Sequence, residues 1–223
     1  MNLKSGVATL CIALAAPVFS QSKEADRLAS STAVLKEETS KDLSSAILSQ
    51  SICVAIFPSV KKVAVGIGGS YGRGVLVCRK QTALSGAWGA PIMFALDQGS
   101  LGLQLGSTAT DFTLTVMKKE AADRFLGGGA KLGSDAAVAA GPVGSQASAY
   151  SPEAQVLTYS RTKGVFAGVS LSGAGLKADD DANKALYGKP ITPTEILETQ
   201  TVPPSAKQLV DLLNRTAPGR PTG

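Results

Sequence analysis

The stretch VGIGGSYGRGVLV, Val65 to Val77, puts glycine or serine at every even position from Gly66 to Gly74, while Val65, Ile67, Tyr71, Arg73, Val75 and Val77 occupy odd positions. Alternate residues of a strand share a face, so this segment has one nearly bare side. The split recurs where Leu101, Leu103 and Leu105 alternate with Ser100, Gly102, Gln104 and Gly106, and where Val165, Ala167, Val169 and Leu171 alternate with Gly168, Ser170 and Ser172. Bare strand faces call for something that approaches the backbone closely: a helix of the same chain, another sheet or a flat apolar ligand. Internal packing is the favoured occupant.

A phosphate cradle is the competing reading of five closely spaced glycines. It requires a helix whose N-terminus faces the phosphate directly after the loop. Here the strand-like GVLVCRK follows instead. A kinase-type loop does lie between strands, but its downstream lysine, catalytic and metal motifs are missing.

The surrounding texture is α+β. Residues 21–51 hold two amphipathic helices, KEADRLASSTAVLKEE and KDLSSAILSQ, with apolar residues at helical spacing. Residues 52–200 form the core: VAIF, KVAVGI, GVLVCR, APIMFAL, LGLQL, FTLTVM, AAVAA, QVLTYS and GVFAGVSLS read as strands, broken by one helix, Lys118–Leu126. The expected architecture is a strongly twisted, mainly antiparallel sheet, open to a barrel-like closure, flanked by short helices at both termini. Helices in ADDDANKALYG and TPTEILE end that core, with a loose stretch ahead of them; residues 201–223 add a last helix and a loose, proline-rich tail.

Residues 1–20 read as a cleavable secretory leader: Lys4, an apolar run to Phe19, and small residues at Val18 and Ser20. The run is too short for a comfortable membrane span. Losing Lys4 with the leader lowers the formal charge from +5 to +4. A mild basic excess is compatible with anionic membranes. The expected location is the periplasm or the outside, where the remaining cysteines, Cys53 and Cys78, either pair or stay as buried thiols.

Catalytic readings fall by inventory. The chain has no histidine, so serine and cysteine triads and histidine-bearing zinc sites are excluded. Ser59 and Lys62 have the spacing of a serine–lysine dyad, but Pro58 and a β-branched run argue for a basic turn between strands. Asp179, Asp181 and Asn183 imitate a calcium loop, yet Lys184 and Pro190 occupy its glycine and glutamate positions, and a capped helix start is the better account. No metal, cofactor, enzymatic activity or nucleic-acid partner is expected.

Several motifs in series resemble a known family. AIFPSVKKVAVGIGGSYGRGVLV with its Phe57–Pro58 turn, Trp88 within WGAPIMFALDQGSLGLQLGSTATDFTLTVM, LGSDAAVAAGPVG, and the segment Gly164 to Gly168 stand in the order of the SYLF domain, also called the Ysc84 actin-binding domain. The resemblance covers roughly residues 27–198; Val165 stands where leucine is frequent. It implies lipid recognition: eukaryotic members bind phosphoinositide-containing membranes with help from an amphipathic N-terminal segment, and some fungal members bind actin. A bacterial-style leader argues against actin as the primary partner and makes anionic phospholipid headgroups the sober target.

Basic residues sit at expected strand ends: Lys61, Lys62, Arg79, Lys80, Lys118, Lys119, Arg161 and Lys163, with Arg73 displayed on the glycine-rich strand. These are the candidate lipid-binding residues. Lys23, Arg27 and Lys36 make the first helix a candidate membrane-contact helix, weakened by Glu24, Asp26, Glu37 and Glu38. The alternative is an envelope assembly protein that binds a protein partner through its small-residue sheet face.

Overall fold

A computed structural model describes residues 22–63, 69–98, 109–143, 150–199 and 201–219. Helices α1 (Lys23–Lys41) and α2 (Ser45–Gln50) precede the strands β1 (Cys53–Val63), β2 (Gly69–Arg79), β3 (Trp88–Gln98) and β4 (Thr110–Val116). Then come α3 (Lys119–Leu126), β5 (Gly129–Lys131), β6 (Val138–Ala140), β7 (Val156–Thr162), β8 (Val165–Gly168) and β9 (Gly175–Ala178). Helices α4 (Asp180–Tyr187), α5 (Pro193–Glu198) and α6 (Lys207–Thr216) follow. The expected leader, and the strand expected around Leu101 to Leu105, lie outside the described residues.

Local chemistry sets the helix ends. Ser22 Oγ accepts from the Ala25 amide at 3.2 Å, with Glu24 and Asp26 in the first turn of α1 and Lys41 in its last. Thr192 and Glu195 form a reciprocal capping box around Pro193. Asp179 caps α4, as its sequence context suggests, and Gly188 ends that helix in a left-handed turn at φ 74°.

The strand order is β5-β9-β3-β2-β1-β4-β7-β6, with β8 also on β7; all pairings are antiparallel except β6 with β7. Strands β5 and β6 therefore stand at opposite ends of the order although only residues 132–137 separate them. Laid flat, that order would spread them roughly 34 Å apart. The linking chain reaches only about 25 Å. The sheet must curl, and it forms a half-barrel.

Two cores result. The inner one gathers Phe57, Val60, Leu76, Phe94, Phe112, Leu114 and Leu176 with Phe125 of α3 and Ile196 of α5. The link between β5 and β6 packs into it through Leu132 and Ala136, so it lies on the side around which the sheet curls. The outer one joins Val54, Ile56, Val75, Val77, Met93 and Tyr159 to Leu28, Val34 and Leu35 of α1 and Leu209 and Leu213 of α6. Each buried aliphatic side chain of α1 contributes about 1.5–3 kcal/mol to seating it there.

The bare face of β2 turns inward and is filled by its neighbour strand. A Cβ at Gly72 would overlap Val60 Cγ2, and one at Gly74 would overlap the Ile56 carbonyl and the Phe57 ring. Close packing thus accounts for Gly72 and Gly74, while Gly66 and Gly68 lie outside the described residues. The turn expected around Pro58 to Lys62 is instead a bulge inside a single strand β1, with Ser59 at φ 51° and its amide donating to Asp111 Oδ1 at 2.8 Å. Strands β5 and β9 occupy segments that lack a β-rich signature, and β8 stops at Gly168 where a longer strand was expected. Cys53 and Cys78 face each other across β1 and β2 and form a disulfide.

Candidate functional site

The basic residues singled out from the sequence separate to opposite ends of the sheet. Because β1 and β2 are antiparallel, Lys61 lies beside Tyr71, whereas Arg79 lies beyond Cys53 at the start of β1. Seven residues of β2 lie between Tyr71 and Arg79, a separation of roughly 27 Å along the strand. No single surface can use both sets.

At the Arg79 end the expectation of headgroup contact fails for Arg79 itself. Its side chain is fully buried, donating to the carbonyls of Ser51 (2.9 Å), Gly86 (3.0 Å) and Ala217 (3.0 Å), and it lies over Trp88. A buried guanidinium persists only when its donors are matched, and here backbone carbonyls match them. Lys118 is exposed, and Lys119 pairs with Asp123 at 2.7 Å. Lys80 and Lys119 line a cleft of about 600 Å³ together with Asp123 and Glu198.

At the other end the register builds a row on the outer face. Lys61 of β1, Tyr71 of β2, Asp97 of β3, Gly175 of β9 and Lys131 of β5 are successive cross-strand partners. The next outward row runs Arg73, Ala95, Lys177 and Gly129. Alternation from Val60, Val75, Met93, Leu176 and Ala130, each assigned to its core, places both rows outside. Lys61, Tyr71, Arg73, Lys131 and Lys177 are all exposed, and small Ala95, Gly129 and Gly175 leave a shallow floor between them. A groove of about 610 Å³ runs along it, lined by Asp97, Lys131, Asp135, Gly175 and Lys177.

Arg73 is held rather than loose. Its Nε donates to Tyr71 Oη at 3.1 Å and lies 3.9 Å from Asp179 Oδ2. The Tyr71 hydroxyl, then Asp179, favour its charged form. Lys163 is exposed at the same end in the β7–β8 turn, at φ 50° and followed by Gly164 at φ 80°. Beside it Val165 is 69% exposed. Lys62 follows Lys61 on β1, opposite Ser70.

Two further expectations are corrected. Arg161 reaches the right end, but its charge is met by Glu37 and, at 3.8 Å, by Asp111. Arg27 is buried against Asp179 at 3.0 Å, and the apolar stripe of α1 is spent on the outer core, so in this arrangement α1 is a lid and not a free membrane-contact helix. Lys23 and Lys36 remain exposed on it. The sequence reading missed Lys131 and Lys177. Both are single lysines in glycine-containing segments, GGGAKLG and GAGLKADD, and only the pairing of β5 with β9 unites them.

Comparison with known proteins places this arrangement. Residues 97–216 match the family model Ysc84, described as Las17-binding protein actin regulator. The chain is 36% identical over 157 residues to an SH3 domain-containing protein of Schizosaccharomyces pombe, covering 68% of this chain and 36% of that protein. It is 34% identical over 166 residues to Protein YSC84 of Saccharomyces cerevisiae, covering 71% and 35%. With the human SH3 domain-containing YSC84-like protein 1 it shares 30% over 161 residues, covering 70% and 46%. The chain thus matches about a third of the length of the yeast relatives and under half of the human one. A family match over more than half its length, with relatives 34–36% identical over two thirds of it or more, shows that the chain belongs to the Ysc84 family.

Proposed function

We propose that this chain is a non-enzymatic lipid-binding module that docks on anionic phospholipid surfaces through the Lys61 end of its sheet. The observation that carries this reading is the pair of outward rows, in which Lys61, Arg73, Lys131 and Lys177 from four different strands share one exposed face around Tyr71. Rigid strands fix the backbone from which each cation projects, so the spacing of the rows is set before docking. Lys163 and the exposed Val165 extend the same end, a cation beside an apolar tip. Each lysine near an anionic surface contributes about 1 kcal/mol, and the sum weakens as salt rises. The leader expected in residues 1–20 fits a periplasmic or secreted protein that meets membranes from that side.

Flotation with liposomes of graded anionic content tests the reading. Lys61→Glu and Lys131→Glu should each weaken association several-fold, whereas Lys118→Glu, at the far end, should leave it unchanged. Binding that ignores lipid charge and salt would overturn it.

A protein partner is the second reading. It is favoured by a Saccharomyces cerevisiae relative, 33% identical over 168 residues, named LAS seventeen-binding protein 3. It predicts a stable complex on crosslinking and no flotation with liposomes. Actin enters by family resemblance alone.

A further inference from the structure

The buried stripe of α1 begins with Arg27 and Leu28 and ends in a carboxylic acid, Glu38, which is fully buried against the sheet. Glu38 Oε2 accepts from Thr113 Oγ1 of β4 at 2.7 Å. Its other oxygen has no hydrogen-bond partner among the described residues, and the buried hydroxyls of Thr115 of β4 and Tyr159 of β7 lie beside one another close by. Tyr159 is the cross-strand partner of Thr113, and Thr115 follows on the same face, so these polar atoms gather under one helix end. A polar group buried without a partner costs on the order of 1–3 kcal/mol, and an ionised one costs more.

Three charged groups act on Glu38. Asp111 of β4 and Asp42 beyond α1 oppose its ionisation, and Arg161 of β7 favours it. Arg161 is already engaged by Glu37 and Asp111. Desolvation outweighs the rest and lifts the Glu38 carboxyl to about 7, close to physiological pH. The far end of α1 is fastened differently, by the ion pair of Arg27 with Asp179. One end of the helix is thus held by a charge pair and the other by an acid that fits its site only when neutral.

We propose that α1 is a proton-controlled cover of the sheet: protonated Glu38 keeps its C-terminal half seated, and ionisation releases that half from the outer core around Ile56 and Tyr159. The Arg27–Asp179 pair acts as the hinge. Release would present Val34 and Leu35 together with the apolar sheet face they now cover. This device is independent of the lipid reading, since it uses none of the exposed lysines.

Amide hydrogen exchange on the full chain tests it, corrected for the intrinsic pH dependence of exchange. Protection of the amides from Val34 to Lys41 should fall about thirtyfold between roughly pH 5.5 and roughly pH 8.5. At roughly pH 8.5 the amides from Val34 to Lys41 should exchange far faster than those of β1 and β4, and Glu38→Gln should flatten the profile of α1. Protection of Val34 to Lys41 equal to that of the strands at both pH values, or a wild-type profile as flat as that of the variant, would overturn the proposal. If Glu38→Gln fails to fold, carboxyl-carbon NMR on the wild-type chain still decides. A Glu38 titration near the ordinary glutamate range overturns the proposal; one near neutrality supports it.

Discussion

Arg79 and Trp88, neighbours across β2 and β3, donate to one and the same acceptor, the carbonyl of Ala217. The guanidinium lies 4.3 Å from the indole centroid while it does so. This ties the C-terminal end of α6 to the sheet beside the disulfide strand pair. Arg79→Met should lower unfolding stability by about 3 kcal/mol, since it strands several buried carbonyls at once. Trp88→Phe should cost about 1–2 kcal/mol. The double variant should lose less than the sum of the two, because the residues share an acceptor; urea denaturation of the three proteins measures the coupling.

The glycines of β2 differ in what a side chain would strike. At Gly74 the obstacle includes the Ile56 backbone carbonyl, which cannot move aside, so Gly74→Ala should destabilise by about 2–3 kcal/mol. At Gly72 the obstacle is the Val60 side chain. Val60→Ala should therefore rescue Gly72→Ala in thermal melts, and should not rescue Gly74→Ala.

Asp179 serves both as the α4 cap and as the counter-charge to Arg27 and Arg73. Asp179→Asn keeps a capping side chain and removes the charge. Stability should drop by about 1–2 kcal/mol, largely from the buried Arg27 left without its anion. With Arg73 no longer neutralised, association with anionic liposomes should tighten when the folded fractions are compared.

Stability should also depend on the Glu38 proton. Its carboxyl titrates near 7 in the folded chain and near 4.5 otherwise, so the folded state holds the proton more tightly. The associated stability is complete below about pH 4.5 and drains away as pH rises through about 7, by as much as about 3 kcal/mol. Chemical denaturation at about pH 5 and about pH 8.5 should show this loss in the wild type and little of it in Glu38→Gln.

The α+β class, most helices and most strands were legible because they rest on short-range patterns: the alternation around Val75, the aspartates that cap and charge the start of α4, and the helical spacing of Leu28 and Leu35. The disulfide was legible only as an even choice, since register decides whether Cys53 meets Cys78. The basic surface was half legible. Lys61, Arg73 and Lys163 could be found one by one, but burial of Arg27 and Arg79 depends on carboxylates and carbonyls that lie far along the chain. Lys131 and Lys177 were invisible because strands β5 and β9 lack β-branched residues and form only as additions to an existing sheet edge.

The curl of the sheet also orders events in time. β3 finds its second neighbour, β9, only after residues 99–174 have followed it in the chain, and β5 can pair only once β9 is seated. Such long-separation pairing forms slowly, because chain entropy is lost before the contacts return it. Until then the flank of β3 from Phe94 to Asp97 offers unpaired amides and carbonyls to any passing strand. That flank is closed only when β9, the last strand of the chain, has been made and has docked.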